Sequence, residues 1–418
     1  MVYVLNQDGQ PIMPTVNHAK VRVLLKNGKA KVVKRCPFTI QLLYPCDNQT
    51  QPISLGVDAG SKHIGISATT KGDNTGAIVL YEADVTLRND IVELLSTRRE
   101  CRRSRRNRKT RYRKARFDNR RRGNGWLAPS IRAKIDTHLT VIANVHKILP
   151  ITKITVETAQ FDIQKIKNPR IQGVEYQQGA QLDFWNVREY VLWRDNHTCQ
   201  CCKGKSKDKI LNVHHIESRK RGGNAPNNLV TLCEYCHSQY HKGNMQLPKS
   251  IKRGVSFRDS SFMGIMRWAF YNKLKEIYSN VCMTYGYITK NKRIEHGLPK
   301  EHYIDARCIS DYPEAIHPWN KTIVYYQKKV RCHNRQIHKM SILKGGIRKR
   351  NQAPKYVKGY ALFDAVKAKG KEWYIHGRRL SGSFVLKNLL EDILEITPSK
   401  INLLYRQSQF ITQKVVFD

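Results

Sequence analysis

ISLGVDAGSKHIGISATT, residues 53–70, is two apolar runs joined by a glycine-containing turn, with Asp58 at the end of the first run. A third run, GAIVLYEADV at 76–85, follows at once. Short apolar runs bounded by turn residues read as strands, and three in succession predict an antiparallel meander. Upstream, residues 1–50 alternate apolar and polar positions (VRVLL, AKVV, FTIQLLY) and are broken by Pro11, Pro14 and Gly28. That pattern predicts a small β-rich module with basic faces.

Downstream of the meander the composition changes abruptly. Residues 98–122 hold 15 Lys/Arg against two acids, Glu100 and Asp118, with no Pro or Gly. Arginine is a good helix former, so one long helix, positive all round, is expected. It has almost no apolar face with which to pack. Arginine's guanidinium fork pairs bidentately with phosphate, which favours burial between nucleic-acid backbones over a loose basic arm. Residues 136–149 read as an amphipathic helix ended by Pro150, and ITKITVE (151–157) as a strand carrying Glu157. A polar, glutamine-rich linker at 164–182 leads to a cysteine region at 190–243. Beyond it, 261–279 is helical in pattern, VCMTYGYITK (281–290) reads as a strand, and HYIDARCIS (302–310) starts another helix. The basic tail, 311–418, has β-like runs TIVYY, EWYIHG and INLLYR.

The whole chain carries 75 Lys plus Arg against 33 Asp plus Glu, a formal net charge of +42 in 418 residues. Like charge at this density calls for a polyanion, and nucleic acid is the default, since each phosphate contact releases condensed counterions. A ribosomal or architectural protein would share that charge. No apolar run is long enough to span a membrane. The N-terminal MVYVLNQDGQPIMPT lacks the basic and apolar regions of a signal peptide. Four of the eleven cysteines form metal-ligand pairs and the rest are scattered, which suits a reducing cytoplasm.

Those four are Cys199 and Cys202, then Cys233 and Cys236, two Cys-x-x-Cys pairs with 30 residues between them. They supply four thiolates for a tetrahedral, structural Zn²⁺; Cys201 is a spare thiol. Between and after the pairs runs NVHHIESRKRGGNAPNNLVTLCEYCHSQYHKG, residues 212–243. It resembles the HNH, or ββα-metal, nuclease motif: a strand with a His pair, a Gly-Gly loop, Asn-Leu opening a helix, then Cys-x-x-Cys-His. Phosphodiester hydrolysis needs a base to deprotonate water, a group to orient that base, and a divalent metal to stabilise charge on the scissile phosphate. The resemblance makes His215 the general base and Asn228 the residue fixing the loop and base. His214 and His237 become metal ligands, with His241 a third on the same helical face. Many family members have Asp where this chain has His214, so the preferred ion (Mg²⁺, Mn²⁺ or softer) stays open.

Asp58, Glu157 and Asp305 lie far apart in sequence, but Glu157 sits in an apolar strand where an acid needs a reason. His302 precedes Asp305 by three, on one helical face. The set resembles the three RuvC segments of an RNase H-like fold, which makes the three acids Mg²⁺ (or Mn²⁺) ligands and His302 an aid to proton transfer. In order, with an arginine helix and an HNH module between the segments, this is the layout of the IscB family, transposon-associated OMEGA nucleases regarded as ancestral to the type II CRISPR effector. PIMPT (11–15) is similar to that family's PLMP motif, RRECRRSRRNRKTRYRK (98–114) to its bridge helix, and the stretch from VRCHNRQ (330–336) onward to its C-terminal region.

The resemblance implies an α/β multidomain protein with a split RNase H-like (RuvC) domain, an inserted zinc-containing ββα-metal HNH domain, an arginine-rich bridge helix and small β-rich terminal modules. The implied segments are a PLMP-like module (1–50), RuvC-I (51–90), bridge helix (91–124), RuvC-II (125–165), linker (166–189), HNH (190–245), RuvC-III (246–312) and a C-terminal region contacting RNA and a flanking motif (313–418). It implies a noncoding guide ωRNA bound in part by Arg98, Arg99, Arg102, Arg103, Arg105, Arg106, Arg108, Arg111 and Arg113. It also implies a double-stranded DNA target with a short flanking motif, and a monomeric, nucleoid-associated ribonucleoprotein of bacterial or archaeal cytoplasm. The rival readings are a protein-only HNH homing or restriction endonuclease, and a non-catalytic zinc-knuckle RNA-binding protein.

Overall fold

The computed structural model describes residues 1–47, 50–72, 76–106, 123, 125–158, 170–173, 175, 178–255, 258–330, 340–342, 348–350, 354–379, 382–389, 392–407 and 409–417. The chain divides into two compact units, one of residues 1–160 and 262–418, the other of residues 161–261.

The first unit is built on a seven-stranded sheet. The meander forms its middle as β5 (Ile53–Ala59), β6 (His63–Lys71) and β7 (Ala77–Thr86), antiparallel throughout. On one side β8 (Lys153–Glu157) and β11 (Val281–Thr284) add parallel strands. On the other, β12 (Thr322–Lys329) pairs parallel with β7 and antiparallel with β20 (Phe410–Phe417). The strand order is therefore β11-β8-β5-β6-β7-β12-β20.

β5 is buried on both faces, and period-2 alternation assigns each face its partner. Ile53, Leu55 and Val57 join one core with α3 (Pro129–His146) and α6 (Arg258–Ile277) through Ile135, Ile142, Met266 and Phe270. Gly56, one step out of phase, and Gly65 of β6 lie under α8 (His302–Ile309) on the other face. A methyl group on Gly56 would stand 1.9 Å from the Ala306 carbonyl oxygen, and one on Gly65 1.9 Å from that of His302. Only glycine lets the helix lie this close. α8 is also tied to β7 by a buried charge network. Fully buried Glu82 accepts from Arg307 Nε at 2.7 Å and Nη2 at 3.0 Å, from His317 Nε2 at 2.8 Å and from Ser67 Oγ at 3.2 Å. Removing Glu82 or Arg307 alone would strand the other's buried charge, at about 3–5 kcal/mol.

The N-terminal module is a four-stranded sheet, β2-β1-β4-β3, made of β1 (Val2–Leu5), β2 (Pro11–Thr15), β3 (Ala30–Lys34) and β4 (Thr39–Leu42). VRVLL is not a strand in it. It lies in helix α1 (His18–Lys26), which Asn17 caps by accepting from the Lys20 amide at 2.9 Å. In the tail, β13 (Met340–Ile342) and β14 (Arg348–Arg350) form a small hairpin. β15 (Ala365–Ala368), β16 (Lys371–Arg378), β17 (Phe384–Lys387), β18 (Ile393–Ile396) and β19 (Asn402–Tyr405) form a five-stranded antiparallel sheet. Three expectations shift at their edges. α3 begins at Pro129, ahead of residue 136, because proline suits a first helical turn. The run from Val281 is a strand only to Thr284, then becomes α7 (Gly286–Glu295). Of the expected arginine helix at 98–122, residues 98–106 lie in α2 (Ile91–Arg106), and 107–122 fall outside the described residues.

The second unit opens with α4 (Val187–Arg194) and centres on a hairpin of β9 (Leu211–His215) and β10 (Leu229–Cys233), followed directly by α5 (Glu234–His241). Asn228-Leu229 thus opens a strand, not a helix. LVTLC is apolar and β-branched, and all five of its residues are buried. No described helix is long and apolar enough to cross a membrane.

Candidate active site

In the second unit, β9 projects successive side chains to opposite sides. His214, paired with Val230, is buried, while His215, paired with Leu229, is half-exposed. His237 and His241 are four residues apart on α5 and meet His214. The three present ligand nitrogens all within 4.8 Å of one another, and His237 Nε2 lies 3.2 Å from His241 Nε2. Burial first, then repulsion from His237, His241 and His215, lowers the His214 pKa to about 4, so its ring is neutral at pH 7. His237 is lowered too, by burial and then His241. His214 Nε2 is buried without a hydrogen-bond partner. An orphaned imidazole nitrogen facing two more imidazoles fits a divalent transition metal, which binds the neutral form.

His215 Nε2 is 3.0 Å from Asn224 Oδ1. An amide oxygen only accepts, so Nε2 carries the proton and Nδ1 keeps the free lone pair of a base. Asn228 does a different task. Fully buried, it accepts from the Glu217 amide at 2.9 Å and donates to the Glu217 and Gly223 carbonyls at 3.0 Å each. It staples the loop shut, and the direct contact to His215 belongs to Asn224, which sequence reasoning missed. Beside a Gly-Gly pair, an asparagine looks like ordinary turn chemistry.

Cys199, Cys202, Cys233 and Cys236 gather their sulfurs within 4.8 Å, with no disulfide among them. Ser206 Oγ lies 3.1 Å from Cys233 Sγ and 3.4 Å from Cys202 Sγ. Cys201 points elsewhere, to Met245 Sδ at 3.9 Å. Four converging thiols fit a structural zinc ion.

In the first unit, Asp58 and Glu157 stand opposite each other in the parallel pairing of β5 and β8, so they share a face. The same row continues through Gly65 to Asp84. His302, at the start of α8, brings Nδ1 to 2.7 Å from Asp58 Oδ2. That hydrogen bond is the main reason its pKa is raised. Asp305 follows one turn later, with Arg293 Nε of α7 at 2.9 Å. Burial, then the charges of Asp58 and Asp305, raises the Glu157 pKa to about 7. Asp305 is raised as well, by burial and then by Asp58. Burial and neighbouring carboxylates hold Glu157 and Asp305 above the usual carboxylate range, and an all-carboxylate donor set of this kind, half-buried beside Asp58, suits a hard divalent cation. The row also holds a pair that sequence reasoning missed. His63 Nδ1 lies 3.2 Å from Asp84 Oδ1, and its ring stacks on His302 with centroids 5.1 Å apart.

Arg98, Arg99, Arg102, Arg103, Arg105 and Arg106 lie on α2, with Arg98, Arg99 and Arg103 exposed. Arg108, Arg111 and Arg113 fall outside the described residues.

Residues 2–179 match the family described as RRXRR protein, and residues 199–243 the family described as HNH endonuclease. Arg102 to Arg106 spells the RRXRR pattern itself, with Ser104 at its centre. The chain is IscB-like. Residues 199–243 of this IscB-like chain are an HNH endonuclease domain, of a family that uses divalent metal ions. It is also 32% identical over 69 residues to anaredoxin of Nostoc sp. strain PCC 7120, spanning 16% of this chain and 79% of anaredoxin. Among solved structures, it overlaps Streptococcus thermophilus Cas9 in complex with AGGA PAM at 14% identity and TM-score 0.30, covering 44% of this chain and 26% of that one. It overlaps the type II-C Cas9 of Actinomyces naeslundii at 12% identity and TM-score 0.26, covering 62% and 60%. The IscB-like chain therefore spans about a quarter of the first of these structures, and both TM-scores are too low to establish a common overall fold.

Proposed function

We propose that the chain is an RNA-guided endonuclease that cuts both strands of double-stranded DNA at two separate metal-dependent sites. The observation that carries this reading is the pair of independent constellations. One unit gathers three imidazoles beside a histidine base, and the other aligns Asp58 with Glu157 beneath the helix of His302 and Asp305. In the HNH unit His215 Nδ1 takes the proton of the attacking water, and Asn224 holds the ring in the tautomer that makes this possible. His214, His237 and His241 would hold the divalent ion, which when bound neutralises charge on the scissile phosphate. Three imidazoles are a softer donor set than carboxylates, so a borderline ion such as Ni²⁺, Co²⁺ or Zn²⁺ is expected to bind this site better than Mg²⁺. In the other unit Asp58, Glu157 and Asp305 would hold Mg²⁺, the seven-stranded sheet acting as a RuvC-like domain split across the chain. His302, hydrogen-bonded to Asp58, is the group placed to move a proton there.

A guide ωRNA is the partner that the net charge of +42 and the arginine run favour. Base pairing would then read the sequence, with the HNH site cutting the paired strand and the carboxylate site the displaced one. The native protein should carry one abundant noncoding RNA with a variable end; random cellular RNA on sequencing would reject guidance. On a matched duplex, His215→Ala should spare only the displaced-strand cut, and Asp58→Ala only the other. Loss of both cuts from either change, with RNA still bound, would sink the two-site assignment.

A further inference from the structure

From an exposed aromatic pair at the rim of the carboxylate site, we infer that Tyr285 and Tyr287 form a stacking platform for unpaired bases of the strand cut there. The inference rests on the carboxylate site being a nuclease site and adds what holds its substrate. β11 runs parallel to β8 with Thr284 opposite Glu157. The chain then turns into α7 through Tyr285, Gly286 and Tyr287. Gly286 lies against the site itself: a methyl group added there would come within 2.9 Å of Glu157 Oε1.

The two tyrosines flanking that glycine do not enter the core. Tyr285 is 43% and Tyr287 66% exposed, and their rings lie parallel, 10° apart in plane with centroids separated by 6.1 Å. Keeping two large rings in water beside a carboxylate site forgoes the burial free energy that aromatic side chains ordinarily supply. The same helix carries Lys290 and Lys292 against one acid, Glu295, while its Arg293 is already paired with Asp305. Parallel aromatic faces with cations beside them suit a single strand, because every base has a face to stack and every nucleotide a phosphate to neutralise. A duplex hides those faces, so the platform selects an unpaired strand. Stacking is indifferent to base identity, so the platform positions without reading sequence.

Two measurements on the full chain with its bound RNA test this. Asp58→Ala protein is irradiated with a single-stranded DNA oligonucleotide carrying 5-iodouracil at successive positions, and the crosslinks are mapped. Crosslinks to Tyr285 or Tyr287 are expected; crosslinks confined to other residues would overturn the platform. In otherwise wild-type protein, Tyr285→Ala with Tyr287→Ala should raise KM for the displaced strand roughly tenfold with kcat little changed, and Phe at both positions should restore it. An unchanged KM, or a loss that Phe does not rescue, would also overturn it. Undiminished displaced-strand cutting by the Asp58→Ala protein would instead reject the carboxylate site, leaving the crosslinks to judge the platform alone.

Discussion

Two asparagines four residues apart separate catalysis from architecture in the HNH unit. Asn224 is exposed and hydrogen-bonds His215, the proposed base, so Asn224→Ala should leave the melting temperature unchanged. It should lower the paired-strand cutting rate by roughly tenfold to a hundredfold, within the range attributable to a positioned general base. Asn228→Ala should do the reverse, orphaning the Glu217 amide and two carbonyls at a cost of about 3 kcal/mol or more. Melting curves beside strand-specific cleavage distinguish the two, and an Asn224→Ala protein that cuts normally would remove Asn224 from the mechanism. In the other unit, His138 gives a pH signature. Its ring is wholly buried on α3, with Nδ1 2.8 Å from the Lys134 carbonyl, and burial lowers its pKa to about 4. A folded-state pKa below the unfolded value near 6.5 means that the folded protein binds fewer protons between the two. The associated stability is full above the unfolded pKa and is lost as pH falls through about 4, a change of about 3 kcal/mol. His138→Leu should make the loss of thermal stability between pH 6.5 and 4 shallower, His146 and His214 contributing the rest, and an acid limb as steep as wild type would refute the assignment.

At the scale of elements, the sheet of the first unit and the helix laid across it decide whether the carboxylates meet. Gly56→Ala or Gly65→Ala puts a methyl group into an α8 carbonyl, so either should lift α8 and separate His302 from Asp58. We expect displaced-strand cutting to fall at least tenfold, in line with the sensitivity of reacting groups to about 1 Å of misplacement. Cutting of the paired strand should persist, and equal loss on both strands would point to general unfolding. Much of this was legible beforehand. Apolar runs bounded by turns marked β5, β6 and β7, and an acid inside ITKITVE marked Glu157 as an exception to the core. VRVLL was misread because Val21, Leu24 and Leu25 satisfy a helical spacing as well as a strand's, and the Asn17 cap settled it. The strand from Val281 was overextended because β-favouring tyrosines run on past Thr284 into α7. His63 and Asp84 escaped notice because only strand register sets them beside His302 and Asp58. Sequence spacing cannot supply that register.

For the whole molecule, two compact units imply two stabilities, and the units differ in what supports them. The first has a broad apolar core around β5, α3 and α6. In the second, the described buried apolar cluster holds Val230 and Leu232 with three cysteines, Cys199, Cys233 and Cys236, and Val191, Leu192 and Leu229 are buried elsewhere in the unit. That cluster thus coincides with the candidate zinc site, whose Cys-x-x-Cys pairs were plain in the sequence because spacing alone defines them. A unit in which thiols stand where aliphatic side chains would otherwise pack would draw much of its folding free energy from a bound zinc ion, as small zinc domains do. Calorimetry of the full chain should therefore resolve two transitions. A zinc chelator should abolish the one belonging to residues 161–261, and added Zn²⁺ should restore it. Cys233→Ser should remove the same transition without a chelator, and protease digestion should then degrade residues 161–261 first. With the metal shown to be gone, two unchanged transitions would mean that the cysteine cluster packs as an apolar core in its own right and that zinc contributes little to the fold.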